Sequence, residues 1–390
     1  MLENACVVHH DRVVAEPLVL AAGRIGSAAV TDAFRIALRD HLIFPGLINA
    51  HDHLQLNNVR PLPHAQPFPN SYAWIAAFEA HRRAPDVAAA VAVPTAARHW
   101  LGGLKNVLAG ATTVAHHDPW HPVLDDPDFP VGLLRQFGWS HSLALGAERG
   151  DAPPRYGPGV HASHAATAAE RPWMIHLAEG TDDVARSELQ RLEALGCLAT
   201  NTVLVHGVGL TDADIERVIA AGASVVWCPA SNIAMLGRTL DPRRLFVAGR
   251  LLLGTDSRLT GSRDMLDELR VAAEASDLSA SELLRVVTRD ASRLLGLPAC
   301  GGLEAGMQAD CLILRADGDP FTALLETSRG AIRAVVRGGV PVVADPEFAA
   351  WFSWCGVDAV AVRLDGQPKL MDRRLVRPEV VDLEPGLELA

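Results

Sequence analysis

Two histidines, His51 and His53, stand two residues apart at the end of an apolar run, in Asn49-Ala50-His51-Asp52-His53-Leu54. On extended backbone successive side chains alternate between faces, so both imidazoles would share one side. Asp52 would point to the other, which makes it a hydrogen-bond acceptor rather than a ligand. The chain contains 16 histidines, so isolated pairs are expected by chance, and His9-His10 and His116-His117 are taken as such. Three further polar groups arrive in the same way. His176 follows Trp173-Met174-Ile175, His206 follows Val203-Leu204-Val205, and Asp256 follows Leu251-Leu252-Leu253-Gly254-Thr255. One histidine at a strand end is as readily a hydrogen-bonded core residue, and Asp256 alone is as readily a helix N-cap. Their recurrence favours a metal centre built from His51, His53, His176 and Asp256.

Three neutral imidazoles and one carboxylate suit Zn²⁺ first, and also Fe²⁺ or another first-row divalent ion. Such an ion brings the pKa of a bound water down towards about 7. An adjacent carboxylate then accepts the proton. Glu179 lies three residues after His176 in His176-Leu177-Ala178-Glu179-Gly180. If the chain turns there, Glu179 reaches the same place and is a candidate proton shuttle. Gln55, Asn58, Trp74, Phe78, Trp120 and Trp139 are candidates for a pocket wall, where an apolar surface with few polar groups suits a small heterocycle.

Polar residues can converge in this way at the mouth of a parallel barrel. Between residues 46 and 299 short apolar runs alternate with longer amphipathic stretches. Strands are expected at 42–48, 111–115, 142–145, 174–175, 202–205, 223–227 and 251–253. Helices are expected at 87–108, 182–195, 212–221, 264–275 and 279–295, with capping signals at Thr211-Asp212-Ala213-Asp214 and Ser279-Ala280-Ser281-Glu282. This is an α/β pattern with a parallel sheet, and about 250 residues is the usual size of a (β/α)₈ TIM barrel. The stretch from 145 to 174 is Gly- and Pro-rich with one helical candidate at 165–170, so the barrel is either trimmed around strands three to five or miscounted by one. Residues 1–45 and 300–390 are β-rich and predict one composite β-sandwich domain made from both ends, with the 46–299 hydrolase barrel between them. The stretch after about 357 has no assigned place.

Composition narrows the classes further. The net charge is −11, with no basic run of the kind a nucleic-acid binder carries. Met1-Leu2-Glu3-Asn4-Ala5-Cys6 does not read as the start of a signal peptide, and no stretch of about 18 apolar residues predicts a membrane span. The six cysteines are scattered without a C-x-x-C pair, which argues against a cysteine zinc site and for buried free thiols in the cytoplasm. There is no G-x-x-x-x-G-K-[ST], no G-x-G-x-x-G and no P-C-x-x-C. A small-molecule substrate is expected, with a homodimer left open.

Taken in order, these segments resemble the amidohydrolase superfamily. Pro45-Gly46-Leu47-Ile48-Asn49-Ala50-His51-Asp52-His53 is similar to its first-strand motif. The similarity continues through Gly110-Ala111-Thr112-Thr113-Val114, His176-Leu177-Ala178-Glu179, Val205-His206-Gly207, Cys228-Pro229-Ala230-Ser231-Asn232, Leu253-Gly254-Thr255-Asp256-Ser257 and Gly306-Met307-Gln308-Ala309-Asp310. It covers about residues 40 to 345. The branch it resembles holds cytosine, guanine and adenosine-type deaminases, triazine hydrolases and imidazolonepropionase. The resemblance implies one metal ion on His51, His53, His176 and Asp256. It also implies Asp256 as general base, Glu179 as proton donor to the substrate, and His206 as the group that orients the attacking oxygen or polarises the substrate. Substrate contacts would come from Gln55, Trp74, His206 and, at the fourth strand, His161 or His164. No lysine stands near 160–164, so a binuclear site on a carboxylated lysine is not implied. The implied reaction is hydrolysis of a non-peptide C–N bond in a small cyclic nitrogenous compound, with deamination first and ring opening or chloride displacement as alternatives. Threonine is usual between the two histidines of this branch, and Asp52 departs from it.

Overall fold

The computed structural model describes residues 1–27, 33–145, 156–315 and 318–390. The 42–48 run is not one strand but two, His41–Pro45 and Leu47–Asn49, which enter different sheets. Gly46 is the switch between them. A Cβ there would stand 2.3 Å from Thr112 Oγ1, and the Gly46 amide donates to the Asp310 carbonyl at 2.9 Å.

Leu47–Asn49 begins a set of parallel strands. It pairs with Ala111–Val114, which pairs with Gly132–Leu133. A five-stranded sheet runs in the order Gly138–Trp139, Trp173–Leu177, Thr202–His206, Ser224–Trp227, Leu251–Leu253. The two sets meet at one seam, where Ala50 N donates to Leu253 O and Asp256 N donates to His51 O, each at 3.0 Å. The expected strand at 142–145 is absent, since a bend at His141 leads into a turn over residues 143–145. Its place is taken by Gly138–Trp139, and Gly132–Leu133 is an additional strand. Each has two residues and a glycine, too short to show a period. Part of the sparse stretch after residue 145, namely 146–155, lies outside the described residues.

Side chains on these strands alternate strictly. Ile48, Met174, Val203, Val205, Val226 and Leu252 pack in one buried cluster. Their neighbours Leu47, Trp173, Ile175, Leu204, Val225 and Leu251 pack in another with the helices. This two-sided burial explains why the strands read as unbroken apolar runs. The long helix expected at 87–108 is two, Pro85–Ala92 and Thr95–Leu108, parted at Val93-Pro94 because proline cannot continue the ladder. A π-helical turn, Val286–Asp290, interrupts the helix expected at 279–295.

Both ends of the chain build one nine-stranded mixed sheet. Its order is Leu387–Leu389, Ala359–Leu364, Gln367–Asp372, Val340–Ala344, Ala334–Arg337, Cys311–Arg315, His41–Pro45, Cys6–Val8, Val13–Ala15. Two two-stranded ribbons, Leu2–Glu3 with Ile36–Ala37 and Leu20–Ala21 with Arg24–Ile25, share a core with its inner residues Val7, Ile43, Cys311 and Ile313. The unassigned stretch after 357 therefore belongs to this sheet. Cys197, Cys228 and Cys311 are buried free thiols, whereas Cys6, Cys300 and Cys355 are half-buried. Among the described residues no helix is long and apolar enough to cross a membrane.

Candidate metal centre and active site

Strand alternation delivers two of the candidate ligands. Met174 faces inward, so His176, two residues on, does too. Leu252 faces inward, and Asp256 follows on the same parity past the strand end. Gly254 lets this segment press against the first strand, because a Cβ there would lie 2.7 Å from His51 Cβ. His51 and His53 lie just beyond Leu47–Asn49, with ring centroids 4.7 Å apart. His206 falls on the outward parity, and its left-handed backbone (φ 79°) breaks the alternation there. Asp256 (φ 54°) and Ala178 (φ 52°) share that uncommon conformation. Non-glycine residues held this way cost of order 1–3 kcal/mol each and concentrate at functional sites.

The result is two triads that share His51. One is His51, His53 and Asp256; the other is His51, His176 and His206; within each triad the ligand-capable atoms lie within 4.8 Å of one another. His51 Nε2 and His53 Nε2 are each 3.8 Å from Asp256 Oδ1, and His53 Nε2 is 3.3 Å from His176 Nε2. Ligands about 2.0–2.2 Å from a common ion would be separated by about 3–4 Å. Both ring nitrogens of His51 are buried without a hydrogen-bond partner among the described residues. Burial and the surrounding imidazoles hold His51 and His176 well below the usual histidine pKa, so neutral rings with available lone pairs are favoured. An orphaned imidazole among other neutral imidazoles and a carboxylate fits a divalent ion.

Asp256 is set up as an anion. Burial alone would raise its pKa, but His53 and His206 and the hydroxyls of Ser231 (2.7 Å) and Thr260 (2.8 Å) lower it. Glu179 shows the opposite balance, with burial pushing its carboxyl up against the opposing pull of His206. Its Oε1 lies 3.4 Å from His206 Nε2. The Asn232 amide donates to Thr239 Oγ1, which directs its oxygen at His206 Nδ1 (2.8 Å). That oxygen holds the proton on Nδ1 and leaves the Nε2 lone pair facing Glu179.

Asp52 turns away from the cluster, opposite to His51 and His53 on either side of it. Lys105 Nζ stands 2.9 Å from its Oδ2, Asn106 donates to the same oxygen at 2.7 Å, and Asn57 donates to Oδ1 at 2.9 Å. The segment after Asp256 is also braced from afar. Arg258 donates both Nη groups to Glu384 at 2.8 Å each, and Glu384 also pairs with Arg329.

Several functional residues escaped the sequence reading. Asp118 Oδ2 lies 2.5 Å from His53 Nδ1 and fixes that ring. Burial would lower the His53 pKa, but Asp118 overrides it and raises it to about 9. The pair His116-His117 is no chance occurrence. His117 packs 4.4 Å from the His176 ring and 4.8 Å from that of His51. His141, just past Gly138–Trp139, lies 4.7 Å from the His176 ring. The rule that found His176, a polar group ending an apolar strand, also marks His117 and Asp118 after Ala111–Val114.

The cluster opens into a cavity of about 280 Å³ lined in part by Gln55, Trp74, Phe78, His141, Glu179 and Met235. The fourth-strand contacts expected from His161 or His164 are not found there. Both sit on the helix Val160–Ala166, with His161 exposed and His164 against Trp173, and His141 occupies the corresponding place. Both stand on a helix and not at the end of the strand Gly138–Trp139, which sets them aside from the cluster. Asn58, Trp120 and Trp139 do not line the cavity either, and Trp120 is exposed.

Residues 155–342 match the amidohydrolase family. The chain carries an amidohydrolase domain. Among curated relatives, a 5-methylthioadenosine/S-adenosylhomocysteine deaminase of Pyrococcus abyssi is 29% identical over 199 residues, 44% of this chain and 46% of that protein. The chain thus spans about half the length of that relative. A protein of the same name from Pyrococcus furiosus is 24% identical over 88% of this chain and 92% of its own length. The amidohydrolase fold is matched by a zinc-bound adenosine deaminase structure from Xanthomonas campestris, with TM-score 0.66 and 22% identity over 87% of this chain and 93% of that one.

Proposed function

We propose that this amidohydrolase is an aminohydrolase, which replaces an exocyclic amine of a small nitrogenous ring with oxygen and releases ammonia. The convergence of His51, His53, His176 and Asp256 beside a buried Glu179–His206 pair carries this reading. In it, the eight parallel strands form a (β/α)₈ barrel over about residues 46–299, with the site at their C-terminal mouth. The terminal segments form the supporting domain, with the short ribbons as the second layer of a sandwich.

His51, His53, His176 and Asp256 would hold one divalent ion, Zn²⁺ first, with His206 within reach of the same centre. When bound, the ion lowers the pKa of water and polarises the carbon–nitrogen system under attack. Asp256, anionic and locked by Ser231 and Thr260, accepts the proton of the attacking water. Glu179, whose pKa is raised by burial, stays protonated nearer neutrality and delivers its proton to a ring nitrogen. The proton held by Asp256 leaves with the amine, and the remaining hydroxyl proton returns to Glu179 as the new carbonyl forms. His206, with its Nδ1 proton committed to Asn232, presents Nε2 to Glu179 and to the reacting group. The names of the deaminase relatives support amine displacement over other leaving groups.

The test is ammonia release from metal-loaded protein against aminated purines, including 5′-methylthioadenosine and S-adenosylhomocysteine, and against aminopyrimidines and aminotriazines. About one ion per chain is expected by elemental analysis, a figure that rests on a four-ligand mononuclear site. Chelation should abolish turnover, and Zn²⁺ should restore it. Ring-opened or dehalogenated products without ammonia would overturn the aminohydrolase reading and leave the hydrolytic site intact.

A further inference from the structure

The cavity that holds the cluster also carries two guanidinium groups that this chemistry does not use. Arg82 and Arg98 line it together with Trp74 and Phe78. Arg98 is half-buried and donates to the carbonyls of Val93 (3.1 Å) and Gln55 (2.9 Å) and to Thr95 Oγ1 (3.1 Å). All three acceptors are neutral, and they use three of the five N–H donors a guanidinium offers. Among the described residues no carboxylate pairs with Arg98. The charge that acts on it is Arg82, a second cation, and burial and this neighbour both push its pKa down. Arg82 is half-exposed, with Nη1 3.6 Å from Glu79 Oε2.

Position adds to the case. Arg98 stands in the first turn of the helix Thr95–Leu108, where there is no acidic residue and no side-chain cap. A cation there opposes the helix dipole, and an anion would relieve both the dipole and the like-charged pair. The Gln55 carbonyl that accepts from Arg98 belongs to the residue whose Nε2 donates to Asp118 at 2.8 Å, and Asp118 holds His53. The guanidinium is thereby tied to the frame of the ligand cluster. Trp74 and Phe78 stack with centroids 5.4 Å apart and planes 5° apart, presenting flat aromatic faces to the cavity. The cavity lining also holds the carboxylates of Glu79, Asp118, Glu179 and Asp256, and Arg98, the guanidinium with no acidic partner among the described residues, is where an anionic guest would be received.

We infer that Arg82 and Arg98 form an oxyanion subsite, and that the substrate of the proposed aminohydrolase, on which reading the substrate part rests, is a planar aminated ring bearing a carboxylate or phosphate. The planar ring lies against Trp74 and Phe78, and the fork geometry of the guanidinium receives the oxyanion.

Metal-loaded wild type, Arg82→Met and Arg98→Lys are compared in two ways. In a thermal-shift titration with inorganic phosphate, wild type should respond at concentrations at least fivefold lower than either variant. Lysine keeps the charge at position 98 but loses the fork, and Arg82→Met changes only a half-exposed side chain, so neither depends on a disrupted core. Equal responses in all three proteins would overturn the subsite whatever the enzyme's reaction. In the second measurement, kcat/KM is taken for adenosine, its 5′-carboxylate and its 5′-monophosphate. Wild type should favour an anionic form, and that preference should fall at least tenfold in each variant; which anion leads tells carboxylate from phosphate. Ammonia from adenosine with no anionic preference would sink the substrate inference and leave the aminohydrolase reading standing. A phosphate response lost in both variants, with no ammonia from any nucleoside, would support the subsite and count against the aminohydrolase.

Discussion

Lys105 Nζ lies 2.9 Å from Asp52 Oδ2, and neither side chain reaches solvent. The same ammonium also donates to Asn57 Oδ1 and Thr255 Oγ1, each at 3.1 Å. One cation therefore joins the residue between His51 and His53 to the residue before Asp256. Removing one partner of a buried pair leaves the other charge uncompensated, at a cost of about 3–5 kcal/mol. Lys105→Met should lose that much in urea unfolding, and Asp52→Asn should lose a similar amount. The double variant should be less destabilised than the two losses added together. Strict additivity would show that the pair is not coupled.

Glu179 supplies the pH signature. Its folded-state pKa is raised by burial, so it donates a proton below that value and loses the ability as pH climbs through it. The alkaline limb of kcat/KM should therefore report Glu179. Glu179→Gln should lower kcat by about 10²–10⁴ and flatten that limb, with metal content unchanged. An alkaline limb that persists in Glu179→Gln assigns the proton donor elsewhere.

Glu268 is fully buried and has its pKa raised by that burial to about 8. Its Oε1 accepts from the Ala230 amide at 3.1 Å. With the folded pKa above the unfolded value, the neutral acid is favoured. The stability it contributes is complete below about pH 4.3 and is lost as pH rises through about 8. Glu268→Gln should therefore be stabilising relative to wild type at pH 9, by roughly 1–3 kcal/mol compared with the difference at pH 5. Thermal unfolding across that range checks the slope.

Glu384 receives two hydrogen bonds from Arg258, two residues past Asp256. Glu384→Ala leaves Arg258 and Arg329 without their shared acid and should cost about 3–5 kcal/mol. Because Arg258 N also donates to Asn57 Oδ1 at 3.1 Å, the loss should reach the site as weaker metal retention. Metal affinity by competition with a chelator reads this directly, and an unchanged affinity would confine Glu384 to stability.

The cluster was legible wherever a polar residue ends a run long enough to show burial. His51, His176, His206 and Asp256 all do so, and the alternation of Asp52 with His51 and His53 predicted that it would turn away from them. The same signal at His117 and Asp118 was masked by the abundance of histidine, which made an adjacent pair look accidental. Gly132–Leu133 and Gly138–Trp139 could not be read, since two residues carry no period and glycine carries no side-chain pattern. The histidines of Val160–Ala166 drew attention by type, but their place on a helix sets them apart from the cluster. In Ala359–Leu364 the alternation of Val360, Val362 and Leu364 was present and marks a strand with one buried face. What sequence could not supply was its partner, Gln367–Asp372, whereas the sheet's join to residues near the N-terminus was expected from the β-rich ends.

That join sets an order of events during synthesis. His41–Pro45 takes Cys311–Arg315 as its antiparallel neighbour, and the loop bearing Asp256 takes its brace from Glu384. A ribosome that has finished every proposed metal ligand has thus made neither of those supports. The nascent chain must carry an exposed strand until Cys311–Arg315 emerges, and an unbraced base until Glu384 does, waits imposed by contacts so distant in sequence. Metal delivered early would meet a site whose parts are all present but not yet held in place.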